Sequence, residues 1–328
     1  MTNDLMPPDP LPCASRHRLS TTSQDGRSIA TPTREANRVV ASTHFERRFD
    51  RPPFPENDPR STVNDFIFNR MIQPDWSPGQ LALVDKETAK DLAQMAVPAL
   101  RVPETLGIVP MTAVQSADHL FDVLRPFAGT ASIAKPVHAS GGVTFMRDVK
   151  SSADVRLLFE VASMNYALLM REMQYLTLTK KIIVEALVPT LGGSTPDDYK
   201  FHCVHGEPLV CQVDYSRFGQ AWSRLLTIPE FTPMHAGDGL APPAGFMLPS
   251  LVRMEAMMAI ARALSAPFDF VRVDLYDGAD GIYFGELTFT PGGSLGVAPS
   301  LASDGSCTNV THNIYSNIIM TALRRGGN

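Results

Sequence analysis

Cysteine is scarce in this chain: four residues in 328, namely Cys13, Cys203, Cys211 and Cys307. They are not close-spaced, which argues against a disulfide-stapled scaffold or a finger-type zinc array. Cys203 and Cys211 could face each other across a hairpin turning at Gly206-Glu207-Pro208, with His202 and His205 beside them. A zinc site is one reading of that group; two buried thiols on neighbouring strands is the simpler one. Long apolar runs are missing too, since nothing approaches the ~18 to 20 residues a spanning helix needs. The opening MTNDLMPPDPLPCASRHR lacks the apolar core of a secretory leader, and no apolar segment precedes the faintly lipoprotein-like Leu11-Pro12-Cys13-Ala14. Nor is there a cationic excess. Lys and Arg total 29 against 34 Asp and Glu, a net charge of -5. That argues against a basic nucleic-acid groove but leaves room for an anionic substrate held by a few local cations. The expectation is a cytoplasmic protein with no nucleic-acid partner and no membrane insertion.

Hydrophobic residues make up 44% of the chain and charged residues 19%, the balance of a globular protein long enough for two or three packed subdomains. Residues 1–60 are rich in Pro, Ser, Thr and Arg and show little periodicity. They read as a mobile or loosely packed arm, of which the first 40 or so residues are dispensable for catalysis. Regular structure is expected from Val63-Asn64-Asp65-Phe66-Ile67-Phe68, then a helix over 86–96 that Pro98 ends. Ser132-Ile133-Ala134-Lys135-Pro136 is a strand, 137–142 a loop and 143–146 a returning strand. Ser151-Ser152-Ala153-Asp154 fits a capping box before a helix carrying Val155, Leu158, Phe159, Ala162, Tyr166 and Leu169. A buried strand over 181–188 and a hairpin of 199–205 with 209–215 follow. A helix over 250–264 carries Leu251, Met254, Met258, Ala261 and Leu264 on one stripe, read as core packing. This order predicts a mixed α/β (α+β) enzyme with antiparallel sheets.

The last hairpin, 270–276 with 282–289, carries the chemistry. Strand side chains alternate faces, so Val271, Val273 and Leu275 point to the core while Arg272 and Asp274 point away. On the partner strand Leu287 and Phe289 suit the core, and Glu286 and Thr288 share the polar face. Pairing Tyr276 with Ile282 sets Arg272 opposite Glu286 and makes Asp274 and Glu286 diagonal neighbours, roughly 7 Å apart. Two carboxylates at that separation can close on one divalent ion, and magnesium favours carboxylate oxygens with phosphate and water. The structural alternative is an Arg272–Glu286 ion pair across the sheet. Thr290-Pro291-Gly292-Gly293-Ser294 then lets backbone approach a ligand closely.

These pieces resemble the ATP-grasp enzymes, and more closely the TupA-like ATP-grasp family. The similar segments are Lys181-Ile182-Ile183-Val184-Glu185, Asp198-Tyr199-Lys200-Phe201-His202-Cys203, Phe270-Val271-Arg272-Val273-Asp274-Leu275-Tyr276 and Ile282-Tyr283-Phe284-Gly285-Glu286-Leu287-Thr288-Phe289-Thr290-Pro291. The resemblance covers about 65–304 and implies an ATP-grasp fold with nucleotide between two antiparallel-sheet subdomains. It divides the chain into a pre-ATP-grasp region (61–130), a central subdomain with a phosphate flap (131–190) and a C-terminal subdomain with the metal site (191–328). It assigns Lys135 and Lys86 to phosphate, Ser140, Gly141 and Gly142 to the flap, and Glu185 and the backbone of Leu187 to adenine. Asp198 would hold the ribose, with Lys200 beside the nucleotide. Arg272 would stabilise the transferring phosphoryl group, and Asp274, Glu286 and Thr288 would hold magnesium, Thr288 standing where many ATP-grasp ligases have Asn. Ser216-Arg217 stands where the pattern has Asp-Arg, with an acceptor role for Arg217. The bland partner for Glu185 is a lysine such as Lys200.

The implied reaction is carboxylate–amine ligation through an acyl phosphate, with ATP and Mg2+. An amino acid joined to a uronic acid of a surface polysaccharide, or a peptide-like metabolite, would be the product. A sugar or polyol kinase and a nucleotide-binding regulator without turnover are the alternatives. The partners expected are ATP with small-molecule or saccharide substrates, and the reading also admits a homodimer.

Overall fold

The computed structural model describes residues 32–190, 195–215, 222–234, 244, 246–296 and 310–326. Helices α1 (Arg34–Phe49), α2 (Val63–Met71), α3 (Pro78–Val84) and α4 (Thr88–Ala96) come first. A four-stranded antiparallel sheet follows, in the order β1 (Thr105–Pro110), β4 (Lys181–Ala186), β2 (Ser132–Pro136), β3 (Thr144–Phe145). Its central strand β4 buries Ile182, Ile183 and Val184 at 0% exposure, as a strand covered on both faces must. Helices α5 (Ala117–Leu124), α6 (Arg156–Ser163) and α7 (Tyr166–Met170) belong to this half.

The second sheet is also antiparallel and has five strands. Its order is β7 (Trp222–Thr227), β6 (Glu207–Tyr215), β5 (Asp198–Val204), β8 (Phe270–Gly278), β9 (Gly281–Thr288). Helix α8 (Leu251–Ser265) covers one face, capped by the Ser250 hydroxyl accepting from Arg253 N–H. Its buried stripe is Met254, Met257, Ala261 and Leu264. Met257 therefore takes the core place expected of Met258, and Leu251 stands exposed. Cys203 and Cys211 are buried in the same core, paired in register with Pro208 and Phe201 rather than with each other. Burial pushes the Cys203 thiol up to about 12. Helix α9 (Val310–Gly326) packs Tyr315, Ile319 and Met320 behind β5 and β6.

Three expectations are corrected. The arm expected over 1–60 is, from Arg34 onward, packed structure. Thr33 caps α1, Phe45 is fully buried edge-on to Phe68 with ring centroids 5.4 Å apart, and Arg51 clasps Asp65 at 2.8 and 2.7 Å. Only Asn37, Ala41 and Phe45 of α1 are buried, which leaves too short an apolar stripe for periodicity to reveal. A cut at 40 would bisect this helix; residues 1–31 lie outside the described residues. The helix expected from Ser151 is two helices, broken at Met164-Asn165. Asp154 accepts from the N–H groups of Lys150 and Ser151, closing a turn ahead of α6 instead of capping it. Finally, a boundary at 131 would split a sheet, because β1 pairs with β4.

Candidate active site

The polar face of the five-stranded sheet gathers Lys200 and His202 from β5, Gln212 and Asp214 from β6, Arg272 and Asp274 from β8, and Glu286 and Thr288 from β9. The β8–β9 register differs from the expected one. Tyr276 pairs with Tyr283 and Leu275 with Phe284; a bulge follows, after which Asp274 pairs with Glu286 and Arg272 with Thr288. Gly285 is the extra residue, and a Cβ on it would stand 2.9 Å from the Asp274 carbonyl oxygen. The bulge turns the diagonal pair of carboxylates into directly opposed neighbours.

Arg272 chelates Asp274 through Nε and Nη2, both at 2.7 Å, and its Nη2 also reaches Glu286 Oε1 at 3.1 Å and Thr288 Oγ1 at 3.2 Å. Lys200 Nζ lies 2.7 Å from Asp198, 3.1 Å from Asp274 and 3.4 Å from Asp214. Burial opposes ionisation of Asp274, but the charges of Arg272 and Lys200 outweigh it and hold the carboxyl below its usual range. The Lys200 ammonium is likewise held up by Asp274 and Asp198 against the cost of burial. Asp198, the carboxylate expected to face a ribose, is buried and paired with Lys200.

These residues fit a hard cation. Asp198, Asp214, Asp274 and Glu286 lie around Lys200 and Arg272, with Lys86 near Glu286, so four carboxylates outnumber these three cations. Among the described residues, Glu286, with its side chain 40% exposed, takes its hydrogen bonds on Oε1 alone, and Asp274 Oδ1 accepts a single one. Each carboxylate thus keeps acceptor capacity for oxygen-loving Mg2+. Thr288 donates to Glu286 Oε1 at 3.1 Å, orienting that carboxylate. Among the described residues no group of three or more His, Cys, Asp or Glu is placed to hold a metal ion between them. His202 and Cys203 therefore form no cluster, and His202 is held instead by Tyr315 Oη at 2.9 Å and Gln212 Oε1 at 3.3 Å. Burial, aided by Arg272, lowers its pKa to about 3, so it is neutral.

The other half of the site is the β2–β4 pair. Lys135 Nζ is 2.5 Å from Glu185 Oε2, and Lys90 contacts Oε1 of the same carboxylate. The lysine partners of buried Glu185 are thus Lys135 and Lys90, with Lys200 bound elsewhere. Together they hold its pKa below the usual range although burial works against it. The polar setting of α4 gave no sign that Lys90 turns inward. The Leu187 N–H, part of the backbone expected to meet adenine, donates to the Ala131 carbonyl at 3.0 Å. Lys86 lies between the two halves. Its Nζ donates to the Ala139 carbonyl at 3.2 Å and feels Glu286, Lys135 and Glu185. Burial depresses its pKa first of all, so an added anion would be welcome there. The loop 137–142 roots on Ala139 and Gly142 and exposes Ser140 and Gly141. Gly142 has φ 67°, and a Cβ there would sit 2.9 Å from Val161 Cβ. Ser216 and Arg217 lie outside the described residues.

Two antiparallel sheets, one with a lysine-bearing strand and glycine flap, the other with an acidic hairpin, define the ATP-grasp class. The model of the family described as TupA-like ATPgrasp matches residues 67–299. The chain belongs to that family. Among solved structures it is similar to D-alanine–D-alanine ligase from Bacillus anthracis complexed with ATP, at 13% identity and TM-score 0.35, covering 74% of this chain and 66% of that one. It is similar to VanG D-Ala:D-Ser ligase from Enterococcus faecalis at 15% identity and TM-score 0.39, covering 74% and 62%. For the ATP-grasp ligase PsnB complexed with minimal precursor the values are 14% and 0.34, covering 75% and 63%. The chain thus spans less than two thirds of these proteins' length. No curated protein matches it in sequence. No helix among the described residues is long and apolar enough to cross a membrane.

Proposed function

We propose that this protein is an ADP-forming carboxylate–amine ligase. The observation that carries the reading is the convergence of Arg272, Lys200, Asp274 and Glu286 on one sheet face, with Lys86 reaching electrostatically from that face to the Lys135–Glu185 pair. Lys135 exchanges part of its contact with Glu185 for an inner phosphate, and Lys86 meets the phosphate beneath the flap. Asp274 and Glu286, the latter oriented by Thr288, would hold Mg2+, which when bound supplies charge neutralisation for the phosphates. Arg272 neutralises the transferring group from the protein side.

The substrate carboxylate oxygen attacks the γ-phosphorus and ADP departs. The amine nitrogen then attacks the acyl carbon, loses a proton and expels phosphate, leaving an amide. A carboxylate is a poor electrophile at neutral pH, so activation must precede amine attack; the protein positions groups and balances charge. The flap excludes water that would hydrolyse the acyl phosphate. The TupA-like resemblance supports a uronic acid of a surface polysaccharide with an amino acid as the first pair to try. ADP release should require both partners, and hydroxylamine in place of the amine should yield a hydroxamate. AMP as product would reject the site assignment; a stable phosphate ester without hydroxamate would make the protein a kinase.

A further inference from the structure

Glu172 is 5% exposed and has no place in the scheme above. Its carboxylate is held by hydroxyl and amide donors. The Tyr166 hydroxyl donates to Oε1 at 2.9 Å, and the Thr290 hydroxyl and Gln174 Nε2 donate to Oε2 at 2.9 and 3.0 Å. Tyr166, itself 4% exposed, packs in one buried apolar cluster with Ala139 of the flap loop. Gly293 lies so close that a Cβ there would meet Glu172 Oε1 at 3.2 Å. One buried carboxylate thus links both glycine-bearing loops of the site: the flap through Tyr166, which packs with Ala139, and the turn after β9 through Thr290 and Gly293. Burial pushes the Glu172 carboxyl up, so the position is costly, and an apolar side chain would serve packing better.

We propose that Glu172 is a positioning residue that, with Tyr166, forms a strut between the flap (137–142) and the turn 290–296, so that closure over nucleotide and ordering of the turn happen together. The proposal rests on the ATP reading of the site and adds a coupling that reading does not contain. Hydrogen exchange on the full chain tests it in Tyr166→Phe, which keeps the ring beside Tyr175 at 5.4 Å between centroids, and in Thr290→Val, which keeps the side-chain shape. Without nucleotide, each substitution should speed exchange in both loops by roughly tenfold, the worth of one charge-assisted hydrogen bond, and leave β2 and β4 unchanged. Affinity for MgATP by calorimetry should fall by a similar factor. Faster exchange confined to the substituted loop, or spread evenly over the fold, overturns the strut. A wild-type chain that fails to bind MgATP overturns the nucleotide reading instead, and the nucleotide-free exchange still decides the coupling.

Discussion

Asp274 and Glu286 face each other on adjacent strands yet differ in burial, and that difference separates their substitutions. Asp274, 2% exposed, carries Arg272 and Lys200, so Asp274→Asn should cost about 1–3 kcal/mol of stability by removing a counter-charge that two buried cations share, and should also weaken magnesium-dependent nucleotide binding. Glu286, with its side chain 40% exposed, should give a Gln variant that melts close to the wild type but binds MgATP poorly. Calorimetry beside thermal melts checks both; full magnesium response in Glu286→Gln would leave only a structural ion pair. Lys135→Ala should lower MgATP affinity and free Glu185 to rely on Lys90 alone. The shared face of Arg272, Asp274 and Glu286 was legible from strand alternation, and Lys135 and Glu185 were singled out by the family resemblance. Glu172, Lys90 and Asp214 were not, because each acquires its partners from segments distant in the chain or from a face that local pattern does not specify.

At the scale of elements, the β-bulge and the flap are the features on which geometry turns. Gly285→Ala should cost about 1–3 kcal/mol and pull Asp274 and Glu286 out of opposition, because the new methyl meets the Asp274 carbonyl oxygen at 2.9 Å. A thermal melt reads the cost, and loss of magnesium-dependent nucleotide affinity reads the misalignment. Gly142→Val should impair nucleotide binding and turnover more than it impairs folding, since the strain falls on a loop at φ 67° against Val161. The strands β2, β5 and β9 were readable to within a residue or two from alternation and glycine turns. The one-residue bulge was not, because the same alternation is compatible with either register until the partner strand is seen.

For the whole molecule, α1 belongs to the folded unit. Phe45→Ala should destabilise by about 3–5 kcal/mol, measured by denaturant unfolding, because a fully buried ring leaves a cavity against Phe68. Acid should destabilise the protein through carboxylates that the fold holds ionised. Asp65, Glu185, Asp274 and Glu286 are all held below their ordinary values in the fold. Each therefore adds stability above the unfolded carboxylate pKa of about 4, and that contribution drains away as pH falls through the folded value. Glu172, held up by burial, takes a proton earlier and opposes the trend. Melting temperature should be flat near neutrality and drop below pH ~4.

The amino-acid sequence alone determined the class of fold, the strand that carries Lys135, the buried Glu185 and the acidic hairpin, since these depend on local alternation and on family text within single elements. The tertiary structure decided which cation serves which carboxylate, the opposition of Asp274 and Glu286, and the packing of α1. It also placed Glu172 between two loops that lie more than a hundred residues apart in the chain. Those are long-range pairings, set by how two sheets and their flanking helices meet, and no periodicity within one element encodes them.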